Sequence, residues 1–201
     1  MKTRSIIILI AIWLIIPVIL HYSHPLLIGF CWSLEILLLL ILFIIQLIEL
    51  IQERKKLKRR RIISVIVLSV LLFFSIRMMF LIGLLIEKID FAIFYNKRME
   101  IVEQVKTKQL NPNVEWNGFL CQLPFEYPII SHSGNDICIY RNDTTQTVEV
   151  SFFISRGFLD IPSKFFVYTN DSNMIKKYEM LIKEKPENNW KKQDNWYRIL
   201  E

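Results

Sequence analysis

Residues 52–61 read Gln-Glu-Arg-Lys-Lys-Leu-Lys-Arg-Arg-Arg, with seven basic side chains in ten positions: Arg54, Lys55, Lys56, Lys58, Arg59, Arg60 and Arg61. The stretch separates two long apolar runs, residues 26–51 and 62–86, and a shorter apolar run at residues 5–21 precedes them. At a rise of 1.5 Å per residue the two longer runs reach about 38 Å, enough to cross a hydrocarbon core of about 30 Å with some tilt. A helix in a soluble core keeps a polar stripe, and these runs are apolar on every face. The sequence therefore predicts a membrane protein with three transmembrane α-helices.

Short loops dense in Lys and Arg stay in the cytoplasm. The run at 52–61 fixes the path as N-terminus inside, the turn around His21–Pro25 outside, the basic loop inside, and everything after Ile86 outside. Lys2 and Arg4 before the first run agree with that path. They also resemble the basic start of a signal peptide, but residues 21–25 (His-Tyr-Ser-His-Pro) offer no small-residue cleavage site, and the first helix is expected to remain. Pro17 is expected to bend it.

The chain of 201 residues carries a formal charge of +6 with a mean hydropathy of +0.34. Residues 1–86 hold ten Lys/Arg against three acids, and residues 87–201 hold fifteen against sixteen. The basic excess thus belongs to the apolar half. A ten-residue loop with no aromatic side chain between its charges has little with which to stack on or read bases, so no nucleic acid is expected. Its expected partners are the lipid bilayer and anionic headgroups on the cytoplasmic side. The abundance of Ile, Lys and Asn fits a bacterial plasma membrane.

Two ionisable groups fall inside the expected spans, Glu35 in the second and Arg77 in the third. Each lies about 15 Å from the outer end of its helix, so the two are expected to pair across antiparallel neighbours. The alternative is that they mark a transport path.

After Ile86 the composition turns to mixed charge with many aromatics. Residues 87–109 keep apolar side chains at helical spacing and predict a helical connector. Residues 110–201 predict a small α+β extracytoplasmic domain with an antiparallel sheet: strands near 119–123, 137–140, 147–154, 164–168 and 196–200, and a helix over 173–185 ended by Pro186. Cys121 and Cys138 are the only cysteines in this part, and an oxidising compartment predicts a disulfide between them. Trp190, Trp196 and Tyr197 are expected to close its core. Arg156 and Asp160 flank Gly157 in a strand-ending turn.

The motifs of phosphate-binding loops, serine hydrolases and zinc peptidases are absent, and no cofactor or catalytic residue is expected. His21, His24 and His132 could meet a metal on the outer face only through a tertiary coincidence. A Cys121–His132 nucleophile pair lacks a nameable third group. The function expected is that of a membrane-anchored accessory or binding protein presenting a small exported domain to a partner protein or envelope component. The alternative is a small membrane transport component or membrane enzyme using Glu35 and Arg77 or the outer histidines.

Overall fold

A computed structural model describes residues 3–23, 25–53, 58–157 and 161–201, with the side chains of residues 3, 25, 76–82 and 133 outside the description. The elements run α1 (Thr3–Ile19), α2 (Pro25–Gln52), α3 (Arg59–Lys106), β1 (Leu120–Gln122), α4 (His132–Asn135), β2 (Asp136–Asn142), β3 (Thr147–Ser155), β4 (Lys164–Thr169), α5 (Ser172–Glu184), β5 (Trp190–Gln193) and β6 (Trp196–Leu200). The chain divides into two compact units, the second comprising Tyr22–Pro25 and Ile89–Glu201.

In the first unit, Trp13 of α1, Leu39 of α2 and Leu68 and Leu71 of α3 form a buried cluster. The Trp13 indole donates a 2.7 Å hydrogen bond to Ser75 Oγ, which satisfies both polar atoms in an apolar setting. On α2 the buried side chains Trp32, Glu35, Leu39 and Gln46 recur at three- to seven-residue spacing, so one stripe faces the other helices. Elsewhere large apolar side chains point outward, Phe30 at 66% and Phe73 at 60% exposure among them. Of the three expected spans, one helix is long and apolar enough among the described residues to cross a membrane, over Leu26–Gln52; α1 is a shorter apolar helix. The third expected span includes residues 76–82.

The second unit is an antiparallel sheet with strand order β1-β2-β3-β4-β6-β5. Alternation along β3 decides its faces. Val148, Val150, Phe152 and Ile154 turn one way, into a core with Phe91, Ile101, Val102 and Val105 of α3 and with Trp196 of β6. Trp196 is fully buried and meets Phe91, Tyr95, Phe152 and Tyr168 at ring-centroid separations of 5.5–6.2 Å. On the opposite face α5 packs Tyr178 against Val167, Tyr197 and Ile199. Asp171 caps α5, accepting hydrogen bonds from the backbone N–H groups of Asn173 and Met174.

β5 and the single turn α4 were not expected. β5 is short and polar, and it is closed onto β6 by the two-residue turn Asp194-Asn195, with Asn195 in the left-handed region at φ 63°.

The disulfide expected between Cys121 and Cys138 is not formed; both thiols are free. The register opposes Cys121 to Ile137 and Leu120 to Cys138, which places the two cysteines one step out of phase. Successive side chains alternate faces, so Cys121 joins the core and Cys138 turns to the other side of the sheet.

Arg98 is the most deeply buried of the charged groups described in this unit. Arg98 of α3 is 1% exposed and donates to Asp90 Oδ2 at 2.5 Å, to the Asp90 carbonyl at 3.2 Å and to the Ile130 carbonyl at 3.0 Å. Its guanidinium also lies 4.9 Å from the Phe166 ring centre. The Tyr22 hydroxyl donates to the other Asp90 oxygen, and burial and then the Asp90 charge raise its pKa, so it remains a donor. Replacing Arg98 by Met leaves Asp90 buried and unpaired and is expected to cost about 3–5 kcal/mol, measured by denaturant unfolding of the purified full chain in detergent. A cost below about 1 kcal/mol would show that the pair does not hold the unit together.

Candidate functional site

The outer face of the sheet is covered unevenly. A thirteen-residue α5 lies over β4 and β6, and beside it a groove of about 450 Å³ remains over β2, β3 and β4. Alternation dictates what lines it: Cys138 and Tyr140 from β2, Glu149 and Ser151 from β3, Phe165 and Val167 from β4. Helix α5 contributes Met174, Lys177 and Tyr178 to the wall.

Glu149 stands opposite Tyr140 on one side and Thr169 on the other, in the middle of the sheet. It is 8% exposed. The Tyr178 hydroxyl hydrogen-bonds to its carboxylate, while Oε2 is buried and has no hydrogen-bond partner among the described residues. Burial raises the Glu149 pKa, opposed by the Tyr178 hydrogen bond and the Lys177 charge. The other acids of the groove are engaged. Asp171 accepts from Thr147 Oγ1 at 2.8 Å as well as capping α5, and Glu201 pairs with Lys177 at 2.7 Å. Tyr178 and Cys138 are both raised above their ordinary values, chiefly by burial, and stay neutral. At the rim Tyr140 stacks on Phe119 at 4.6 Å, and both rings are exposed.

A buried carboxylate with an oxygen unpartnered among the described residues, an apolar wall and an aromatic rim make a surface suited to a cationic group on an apolar stem. Nothing in the sequence marked Glu149 for this role. The signal that could have found it is the alternation Val148-Glu149-Val150-Ser151-Phe152, which puts an acid on a strand flanked on both sides.

The sequence-derived candidates are placed as follows. Both carboxylate oxygens of Glu35 are buried and lack hydrogen-bond partners among the described residues, and the side chain of Arg77 lies outside them. Of the basic run, residues 54–57 lie outside the description, so Arg54, Lys55 and Lys56 are not placed; Lys58, Arg59 and Arg60 are exposed. Arg61 bonds to Glu49, Gln46 and Glu53, the last at 2.9 Å, and so ties the end of α2 to the start of α3.

Cys121 is buried in the core and its thiol pKa is pushed up to about 11 by burial, which leaves it a poor nucleophile. His132 is occupied at both ring nitrogens: Nδ1 accepts from the Arg156 backbone N–H at 3.1 Å, and Nε2 therefore donates to the Ser23 carbonyl. His24 lies outside the described residues, among which no metal-holding group of His, Cys, Asp or Glu occurs. Arg156 pairs with Asp136 at 3.2 Å; Asp160 lies outside the description. Trp196 and Tyr197 belong to buried clusters.

The raised Glu149 pKa fixes a sign. In the window above the ordinary glutamate pKa the folded state binds more protons than the unfolded state, so stability falls as pH rises through it. Glu149→Gln is expected to be more stable than the parent at pH 7, with the advantage shrinking toward pH 4, read by thermal unfolding across pH. Equal stability at every pH would contradict the burial of an unpaired carboxylate. Compared with protein-family models, curated proteins and solved structures, the chain matches none.

Proposed function

We infer that the chain is a membrane-anchored binding or accessory protein whose exported domain engages a partner protein or envelope component through the outer face of its sheet. Three helices cross the membrane, over residues 5–21, 26–51 and 62–86, with the basic loop 52–61 cytoplasmic against anionic headgroups and residues 87–201 outside. Two features support the anchor. Only 17% of the most apolar stretch of α2 is buried within the protein, unlike a soluble core helix, and seven basic residues follow directly after it. The observation that carries the binding role is the groove beside α5, lined by a buried acceptor with no hydrogen-bond partner among the described residues.

A photo-crosslinking residue at Tyr140, at the groove rim, is expected to yield a discrete adduct in native membranes, and one at exposed Glu187 none. Protease added outside intact cells should cleave within residues 110–201, for example after Lys191. Equal adducts at both positions, or cleavage only once the cytoplasmic side is opened, would overturn the reading.

The transport alternative has one observation in its favour, the buried Glu35 carboxylate without a hydrogen-bond partner among the described residues. Its role is proposed instead to be pairing with Arg77. Glu35→Gln alone should lower accumulation of the protein, and Glu35→Gln with Arg77→Gln should restore it. Western blots of membrane fractions decide this, and a double variant no better than the single one refutes the pairing.

A further inference from the structure

We propose that the groove over β2, β3 and β4 captures a lysine side chain of a partner polypeptide, with the ammonium on Glu149 Oε2 and the alkyl stem along Phe165, Val167 and Met174. The proposal rests on the binding role above and names the chemistry of the same face.

Five charged residues line the groove: Glu149, Asp171 and Glu201, with the cations Lys177 and Arg141. Arg141 alternates with Tyr140 on β2, and its guanidinium donates to Asn111 Oδ1 and to the Val105 and Leu110 carbonyls. Lys177 is matched by Glu201, and Asp171 is committed to Thr147 and the start of α5, so the unmatched charge is that of Glu149. The neutral groups around it, Cys138, Tyr140, Ser151 and Tyr178, supply no cation. An occupant that brings positive charge removes the cost of the buried acid; an anionic one adds to it.

Geometry selects among cations. The Tyr178 hydroxyl lies beside the carboxylate and lowers its pKa, and Oε2 is buried without a hydrogen-bond partner among the described residues. A guanidinium achieves its advantage by gripping both oxygens of a carboxylate in parallel, whereas an ammonium is a point charge satisfied by one. The apolar wall then suits the methylene stem of lysine, which buries readily beside a charged tip. The exposed Phe119–Tyr140 stack at the mouth offers a platform for residues flanking that lysine, which favours a polypeptide over a free amine.

The test uses the isotope-labelled full chain in detergent micelles, titrated with a short Gly/Ser peptide bearing one central lysine, and with the same peptide bearing acetyl-lysine or arginine. The lysine peptide is expected to shift the backbone signals of Glu149, Tyr140 and Tyr178 saturably. Acetylation of the peptide, or Glu149→Gln in the protein, should weaken binding by about tenfold or more, with arginine intermediate. Thermal unfolding of the Gln variant shows that it is folded, and the acetylated peptide probes the intact protein independently. Equal binding of the lysine and acetyl-lysine peptides, or no loss in the Gln variant, would overturn the proposal. Binding of butylammonium with none of the lysine peptide would also overturn it and assign the groove to a small amine. A crosslinked partner at Tyr140 whose capture is unchanged by Glu149→Gln would leave the binding role standing and remove only the lysine chemistry.

Discussion

The Arg98–Asp90 pair constrains everything built on the C-terminal part of α3. A guanidinium at 1% exposure cannot be left without acceptors, because an uncompensated buried charge costs as much as a severe packing defect in a small domain. Arg98 meets the constraint with a carboxylate two turns earlier on its own helix, a carbonyl from the loop before α4, and the face of Phe166 from β4. Asp90 in turn takes the Tyr22 hydroxyl from the segment that joins α1 to α2. Helix, loop and connecting segment are thus tied to the pair by hydrogen bonds and the sheet by the Phe166 ring face, so a shift of any of them breaks a contact with a buried charge. Ser23, next to Tyr22, is held by a second buried polar group, His132, whose other nitrogen serves Arg156 at the end of β3.

Much of the architecture could be read from residues alone, because the physics that sets it is local. Runs such as Val148 to Ile154 alternate or stay apolar, and the structure has strands there; Asn173 to Lys185 repeats apolar residues at helical spacing, and α5 occupies Ser172–Glu184. β5 escaped because Trp-Lys-Lys-Gln has no apolar alternation of its own. It is a strand because β6 offers an edge and because Asp194-Asn195 makes a tight turn between them, a two-residue signal that was legible but unused.

The site was less legible for a physical reason. Whether an acid on a strand is solvated or trapped depends on which neighbours cover it, and that is decided by strand order. Glu149 becomes buried because β3 is third of six strands and because α5 follows β4 and returns over the same face. The cysteines show the same limit in reverse. That they are the two cysteines of residues 87–201, in an expected oxidising compartment, predicts a bond, but a register in which Cys121 faces Ile137 sends the thiols to opposite sides. Sixteen residues of sequence between them carried no information on that single step of phase.

Two of the buried charges of the sheet unit, Arg98 and Glu149, differ in kind. Arg98 is buried with its hydrogen bonds largely supplied and aromatic faces around it, so it holds a structure together. Glu149 is buried beside one neutral hydroxyl, with Oε2 lacking a hydrogen-bond partner among the described residues, so it taxes the fold it sits in. A glutamine of the same shape would satisfy Tyr178 without charge, which means that the carboxylate contributes nothing to the domain that requires its ionisation. Its charge has a use only when something outside the domain meets it. That asymmetry between a satisfied and an unsatisfied buried ion is the physical ground for separating scaffold from binding surface in this chain.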